Sequence, residues 1–150
     1  MNTHSIGKKS TAILLFLAVV SAALLLGSGC YAGGDTVFEG AWTGEVQAAG
    51  GANSSVVNLT LKARQDKSTL RYEDPRGCTL TVTFLKNAGD NGREYALAES
   101  TGGFCDKLSP GKLSLQKIDA NTLSCELTSQ DGRSPKISEK GQLRRVGKKP

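Results

Sequence analysis

From residue 37 onward, nearly every apolar stretch of this chain repeats every second residue rather than at the spacing of a helix. Trp42, Gly44 and Val46 alternate with Thr43, Glu45 and Gln47; Val57, Leu59 and Leu61 alternate with Asn58, Thr60 and Lys62; Leu80, Val82 and Phe84 alternate with Thr81 and Thr83. Side chains of period two belong to extended strands with one dry face and one wet face. The same reading predicts strands near Leu70–Glu73, Arg93–Glu99, Lys112–Gln116, Leu123–Thr128 and Gln142–Val146, which makes about eight strands in all. Turn-forming residues separate them: Ala48–Asn53, Gln65–Ser68, Asp74-Pro75-Arg76-Gly77, Asn87–Gly92, Ser109-Pro110-Gly111, Asp119–Asn121 and Asp131-Gly132.

Many short antiparallel strands with one apolar face must close on themselves or on a second sheet to bury it. The expectation is therefore an all-β domain over residues 37–146, either a single antiparallel β-barrel or a two-sheet sandwich. The low aromatic content and short strands favour a filled interior over a deep cup.

The first thirty residues follow another rule. Lys8 and Lys9 precede an apolar run from Ala12 to Leu26, broken only by Ser21, and small residues follow. This is the pattern of an export signal, too short and too abruptly ended for a membrane span. The expected organisation is a signal peptide over 1–29, a tether over 30–36 with two glycines, the β domain over 37–146 and a basic tail over 147–150.

Cys30, after Leu26-Gly27-Ser28-Gly29, resembles the lipobox cysteine of bacterial lipoproteins. The aliphatic residue usual three positions before the cysteine is here Gly27, with Leu26 one step further back. The resemblance implies lipidation of Cys30 by a diacylglycerol, addition of a further chain such as palmitate, and a stable membrane anchor. In a Gram-negative envelope, Tyr31 after the cysteine implies the outer membrane. The alternative is a secreted or periplasmic protein cut after Ala32.

Without its signal the chain carries 17 basic against 14 acidic residues, a mild +3. Asp35, Glu39 and Glu45 precede the first basic residue of the mature chain, Lys62, and Arg144, Arg145, Lys148 and Lys149 close it. Such a basic tail can touch anionic headgroups, although a solvated terminus is the simpler reading. Nucleic acid is a poor partner, because the few aromatics are not interleaved with basic residues. Four cysteines in an oxidising compartment imply disulfide chemistry, and a lipidated Cys30 leaves three for the fold. The preferred bridge is Cys78 to Cys105. Cys125 is in phase with Leu123 and Leu127 and so falls on a buried face; other pairings remain open on sequence alone.

Gly40-x-Trp42 resembles the first strand of the calycin group, which includes lipocalins, avidins and a family of periplasmic metalloprotease inhibitors. Gly40, Trp42 and Gly44, with Cys78 and Cys105 later, are also similar to small lipid-anchored bacterial domains. The resemblance implies a barrel with Trp42 under its floor.

Catalysis has few candidates. The only histidine, His4, lies in the signal, so the mature chain has no imidazole for a nucleophile or a zinc site. Glu73, Asp74, Asp90, Asp106 and Asp131 all stand in or beside turns, where carboxylates cap backbone. The chain is expected not to be an enzyme and to need neither cofactor nor metal. The expected function is a lipid-anchored envelope domain that binds a protein or small ligand, with Trp42, Arg71, Tyr72 and Tyr95 as candidate contacts. The alternatives are an inhibitor of a protease or lysozyme, and an envelope assembly accessory or small-ligand carrier.

Overall fold

In the computed structural model the alternating stretches pair with one another in chain order. The structure describes residues 37–51, 53–62, 66–130, 132 and 136–147. The chain divides into two units, Met1–Gly34 and Asp35–Pro150. The expected export signal and tether, Cys30, and residues 148–150 lie outside the described residues.

Eight antiparallel strands form a meander: β1 (Gly40–Ala48), β2 (Ser54–Leu61), β3 (Ser68–Tyr72), β4 (Thr79–Asn87), β5 (Gly92–Ser100), β6 (Gly111–Lys117), β7 (Thr122–Ser129) and β8 (Ser138–Arg145). Each pairs with the next, and β8 pairs back onto β1, so the sheet is a closed barrel and not a sandwich. Closure removes the exposed edges that an open sheet would leave. One short helix, α1 (Cys105–Leu108), interrupts the meander between β5 and β6.

The residues predicted to be apolar and in phase point inward. Trp42, Val46, Val57, Leu59, Leu70, Tyr72, Leu80, Val82, Leu97, Leu113, Leu115, Leu123, Leu127 and Leu143 are each no more than 1% exposed. Exposure this low means no space inside large enough for water touches them. An eight-stranded barrel is just wide enough to be filled by its own side chains, and this one is. Filling by leucine and valine, with one tryptophan, supplies the main driving force for folding.

The seam between β1 and β8 depends on glycine. A Cβ at Gly44 would lie 2.0 Å from the Gln142 carbonyl oxygen, and one at Gly141 would lie 1.9 Å from that of Glu45. The two backbones approach too closely for any side chain there, which explains the second glycine of Gly40-x-Trp42-x-Gly44 by packing alone.

Antiparallel order places the loops at two ends. The β2–β3, β4–β5 and β6–β7 loops lie at the end where β1 begins and β8 finishes, here called the proximal end. The β1–β2, β3–β4, β5–α1–β6 and β7–β8 connections lie at the distal end. A bulge in β4 makes Leu85 the extra residue between the Phe84–Tyr95 and Lys86–Glu94 pairs.

Candidate binding surface at the distal mouth

Each end of the barrel is closed by a different set of residues. At the proximal end the Trp42 indole N–H donates to the Phe38 carbonyl at 2.9 Å, folding the segment before β1 under the barrel. The Arg145 guanidinium lies 4.2 Å from the Trp42 ring centroid and donates to the carbonyls of Glu39 at 2.8 Å and Val37 at 2.5 Å. Arg93 lies 4.5 Å from the Phe38 ring centroid. Cations over aromatic faces strengthen as water is removed, and Trp42, Phe38 and Arg93 are all buried while Arg145 is half-buried. Gly40 has φ +120°, a backbone conformation that favours glycine, and passes close to Arg145, whose Nη1 would lie 2.9 Å from a Cβ there.

At the distal end a carboxylate is the centre. Glu139 on β8 is 1% exposed and accepts two hydrogen bonds at 2.6 Å, from the Tyr72 hydroxyl and from Arg76 Nη1. Arg76 stands on the Asp74–Gly77 turn and lies 3.6 Å from the Phe104 ring centroid and 5.2 Å from that of Tyr72. Phe104 and Tyr72 meet edge to face at 5.3 Å. The disulfide Cys78–Cys105 ties this turn to α1, with Cα atoms 6.0 Å apart. The preferred bridge is thus the one formed, and among the described residues Cys125 is free and buried.

Two groups near Glu139, Tyr72 and Cys125, are held protonated. Burial, then the Glu139 charge, pushes the Tyr72 hydroxyl far above its usual range. Burial pushes the Cys125 thiol up to about 12. A tyrosine that keeps its proton is a hydrogen-bond donor here, and a buried thiol of this kind is inert. Neither is poised for chemistry.

The residues singled out from the sequence do not converge. Trp42 closes the proximal end and Tyr72 the distal one. Tyr95 is buried on β5, edge to face with Phe84 at 5.8 Å. Arg71 points to solvent and lies 3.7 Å from Glu73. Arg71 and Tyr72 are adjacent in a strand, so they face opposite sides of the sheet. Glu73 also accepts from Asn58 Nδ2 at 2.5 Å, a structural duty. Among the described residues no three His, Cys, Asp or Glu side chains cluster as metal ligands.

The open space lies outside the barrel. A groove of about 510 Å³ runs from the distal mouth along the outer face of β6 and β7, between Lys112, Ser114, Glu126, Thr128, Gln130 and Lys136. A second recess of about 350 Å³ shares Ser114 and Glu126 and continues toward Lys140 on β8. Register explains the trough: Ser114 pairs with Glu126, Gln116 with Ser124, and Glu126 with Lys140. Short serines form the floor, and longer lysines, glutamate and glutamine form the walls. Glu126 and Lys140 lie 3.3 Å apart, as do charges on a solvated surface. The groove offers hydroxyls, amides and ammonium groups, a surface suited to a polar ligand.

Sequence reasoning missed Arg76, Phe104, Glu139 and Arg145 as a set. Glu139 had one readable signal. The period of β8 carried back from Leu143 through Gly141 puts a carboxylate inside the barrel, where a partner is obligatory. Neither a protein family, nor a curated protein, nor a solved structure matches the chain.

Proposed function

We propose that this chain is an exported protein anchored to a membrane through lipidated Cys30, and that its barrel is a non-catalytic binding module. The observation that supports it is the filled and doubly plugged interior. A small-ligand carrier needs a cup, and an enzyme needs a cleft that gathers reactive groups away from water. Here the buried ionisable groups at both ends are engaged in plugging the barrel. What the distal half leaves for recognition is its outer surface, where the polar groove beside the plugged mouth is the contact site. The partner is a protein or small polar ligand of the cell envelope, and no cofactor takes part.

Two measurements test the reading. The intact mass of protein extracted from its native envelope should begin at Cys30 and include acyl chains. A mass beginning at Gly33 with no lipid would overturn the anchor and favour a diffusible inhibitor of a hydrolase. A photocrosslinker placed at Thr128 should then capture one defined envelope component, and Ser114→Trp, which fills the groove from an outward position, should abolish that capture. Capture unaffected by the tryptophan would remove the groove from the function.

A further inference from the structure

The proximal rim combines three features. The first is covalent. Seven residue steps separate Cys30 from Val37, and extended chain covers at most about 3.6 Å per residue, so on the lipid-anchored reading the floor is held within about 25 Å of the acyl chains.

The second is apolar. Among the described residues the large hydrophobic side chains exposed to water are Leu85 at 55%, Ile118 at 53%, Val146 at 48% and Val56 at 42%. Single exposed hydrophobics are ordinary. Three of these four, however, stand at the proximal end: Leu85 near the end of β4, Ile118 just after β6 and Val146 just after β8. They therefore recur at every other strand around the rim. Val56 alone lies away from it, opposite Glu45 on the barrel wall.

The third is charge. Lys62, Lys86, Lys117 and Arg144 stand at or beside the proximal ends of β2, β4, β6 and β8, interleaved with the apolar positions. Lys148 and Lys149 follow β8 in sequence. Glu39, Asp66, Asp90, Glu94 and Asp119 share the rim and offset part of this charge, with Glu94 3.5 Å from Lys86. Asp119 is partly occupied, since its carboxylate accepts the Asn121 backbone N–H at 2.7 Å.

We propose that the proximal rim is a membrane-contact surface that rests on an anionic phospholipid bilayer. Leu85, Ile118 and Val146 seat at the boundary between headgroup and acyl chain, and the basic residues meet the headgroups. The proposal rests on the lipid-anchored reading and adds an orientation to it: the floor lies against the membrane, and the groove and distal mouth face outward.

The test uses acylated protein, verified by mass, reconstituted into vesicles of phosphatidylcholine alone or mixed with phosphatidylglycerol. An environment-sensitive fluorophore is attached through Ile118→Cys at the rim or through Asn53→Cys at the distal end, both exposed positions. Brominated lipid should quench the fluorophore at position 118 and spare that at 53, more strongly with phosphatidylglycerol present and less in high salt. Lys117→Gln with Arg144→Gln should weaken the anionic preference by about fivefold per charge removed. Equal quenching at 118 and 53 in acylated protein would overturn the proposal while leaving the anchor intact. If the mass shows no acyl chain, the anchor reading fails instead, and flotation of the protein with phosphatidylglycerol vesicles decides the rim: binding supports it and no binding overturns it.

Discussion

The two ends of this barrel solve one problem by different means. Both must close a cylinder whose interior is dry. The proximal floor uses an indole and two guanidinium groups over aromatic faces, with Arg145 donating to backbone carbonyls. The distal plug uses a buried carboxylate held by a tyrosine and an arginine, reinforced by a disulfide. The proximal arrangement buries the Arg93 guanidinium, 3% exposed, against the Phe38 ring. The distal arrangement buries a carboxylate and depends on every partner being present. One end is held by cations on aromatic faces and the other by a buried ion pair and a covalent bond, so perturbations should separate them.

The largest expected effect is at the floor. Trp42→Ala removes the largest fully buried side chain and the surface on which Arg145 stacks, and should destabilise the barrel by about 4 kcal/mol, as read from the midpoint of urea unfolding. Loss of the disulfide should come next. Replacing Cys78 and Cys105 by alanine opens a loop of sequence separation 27 and should cost about 3.5 kcal/mol on the chain-entropy model. Amide exchange should then accelerate at the distal loops before it does at the floor; uniform acceleration would show that the two ends unfold as one.

Glu139→Ala should cost about 3 kcal/mol, because it strands the Tyr72 hydroxyl and the Arg76 guanidinium together. The triple replacement Tyr72→Phe, Arg76→Met and Glu139→Met should recover most of that loss, since apolar groups of similar size need no partners. Failure to recover would mean that the charged plug contributes more than its geometry implies. Arg145→Ala should cost about 2 kcal/mol, from one cation–π contact and its charge-assisted hydrogen bonds.

The smallest effect is one of pH and concerns the distal half only. Below pH 9 the Cys125 thiol is protonated in both the folded and the unfolded chain and gives stability no slope. Above it the unfolded thiol ionises while the folded one, raised from 9.0 to about 12, keeps its proton, so stability falls as pH rises through that window. Tyr72 acts in the same direction. Unfolding midpoints on either side of pH 9 should decline for the wild type and decline less for Cys125→Ala.

The strands were legible because period two is a local property: each residue's side is set by its neighbours. Ser138–Gly141 did not show as strand because Ser-Glu-Lys-Gly has no apolar residue. Its inward positions hold a carboxylate that only Tyr72 and Arg76 make tolerable, and these lie 67 and 63 positions away. The candidate contacts fared differently. Arg71 and Tyr72 are neighbours in sequence, yet neighbours in a strand point apart. The groove was invisible because it arises from cross-strand pairs such as Ser114 with Glu126 and Glu126 with Lys140, and pairing partners are not written in any one strand.

By itself, then, the sequence determined the β class, the number of strands and the face each residue takes, all of which follow from alternation. The expectation of an export signal rests on equally local properties, hydropathy and length. Tertiary structure alone decided that the sheet closes rather than stacks, because closure depends on β8 meeting β1 at the seam that Gly44 and Gly141 permit. It also decided which polar residues end up buried together. A buried charge is stable only beside its partner, and the distance between two residues is a property of the folded chain.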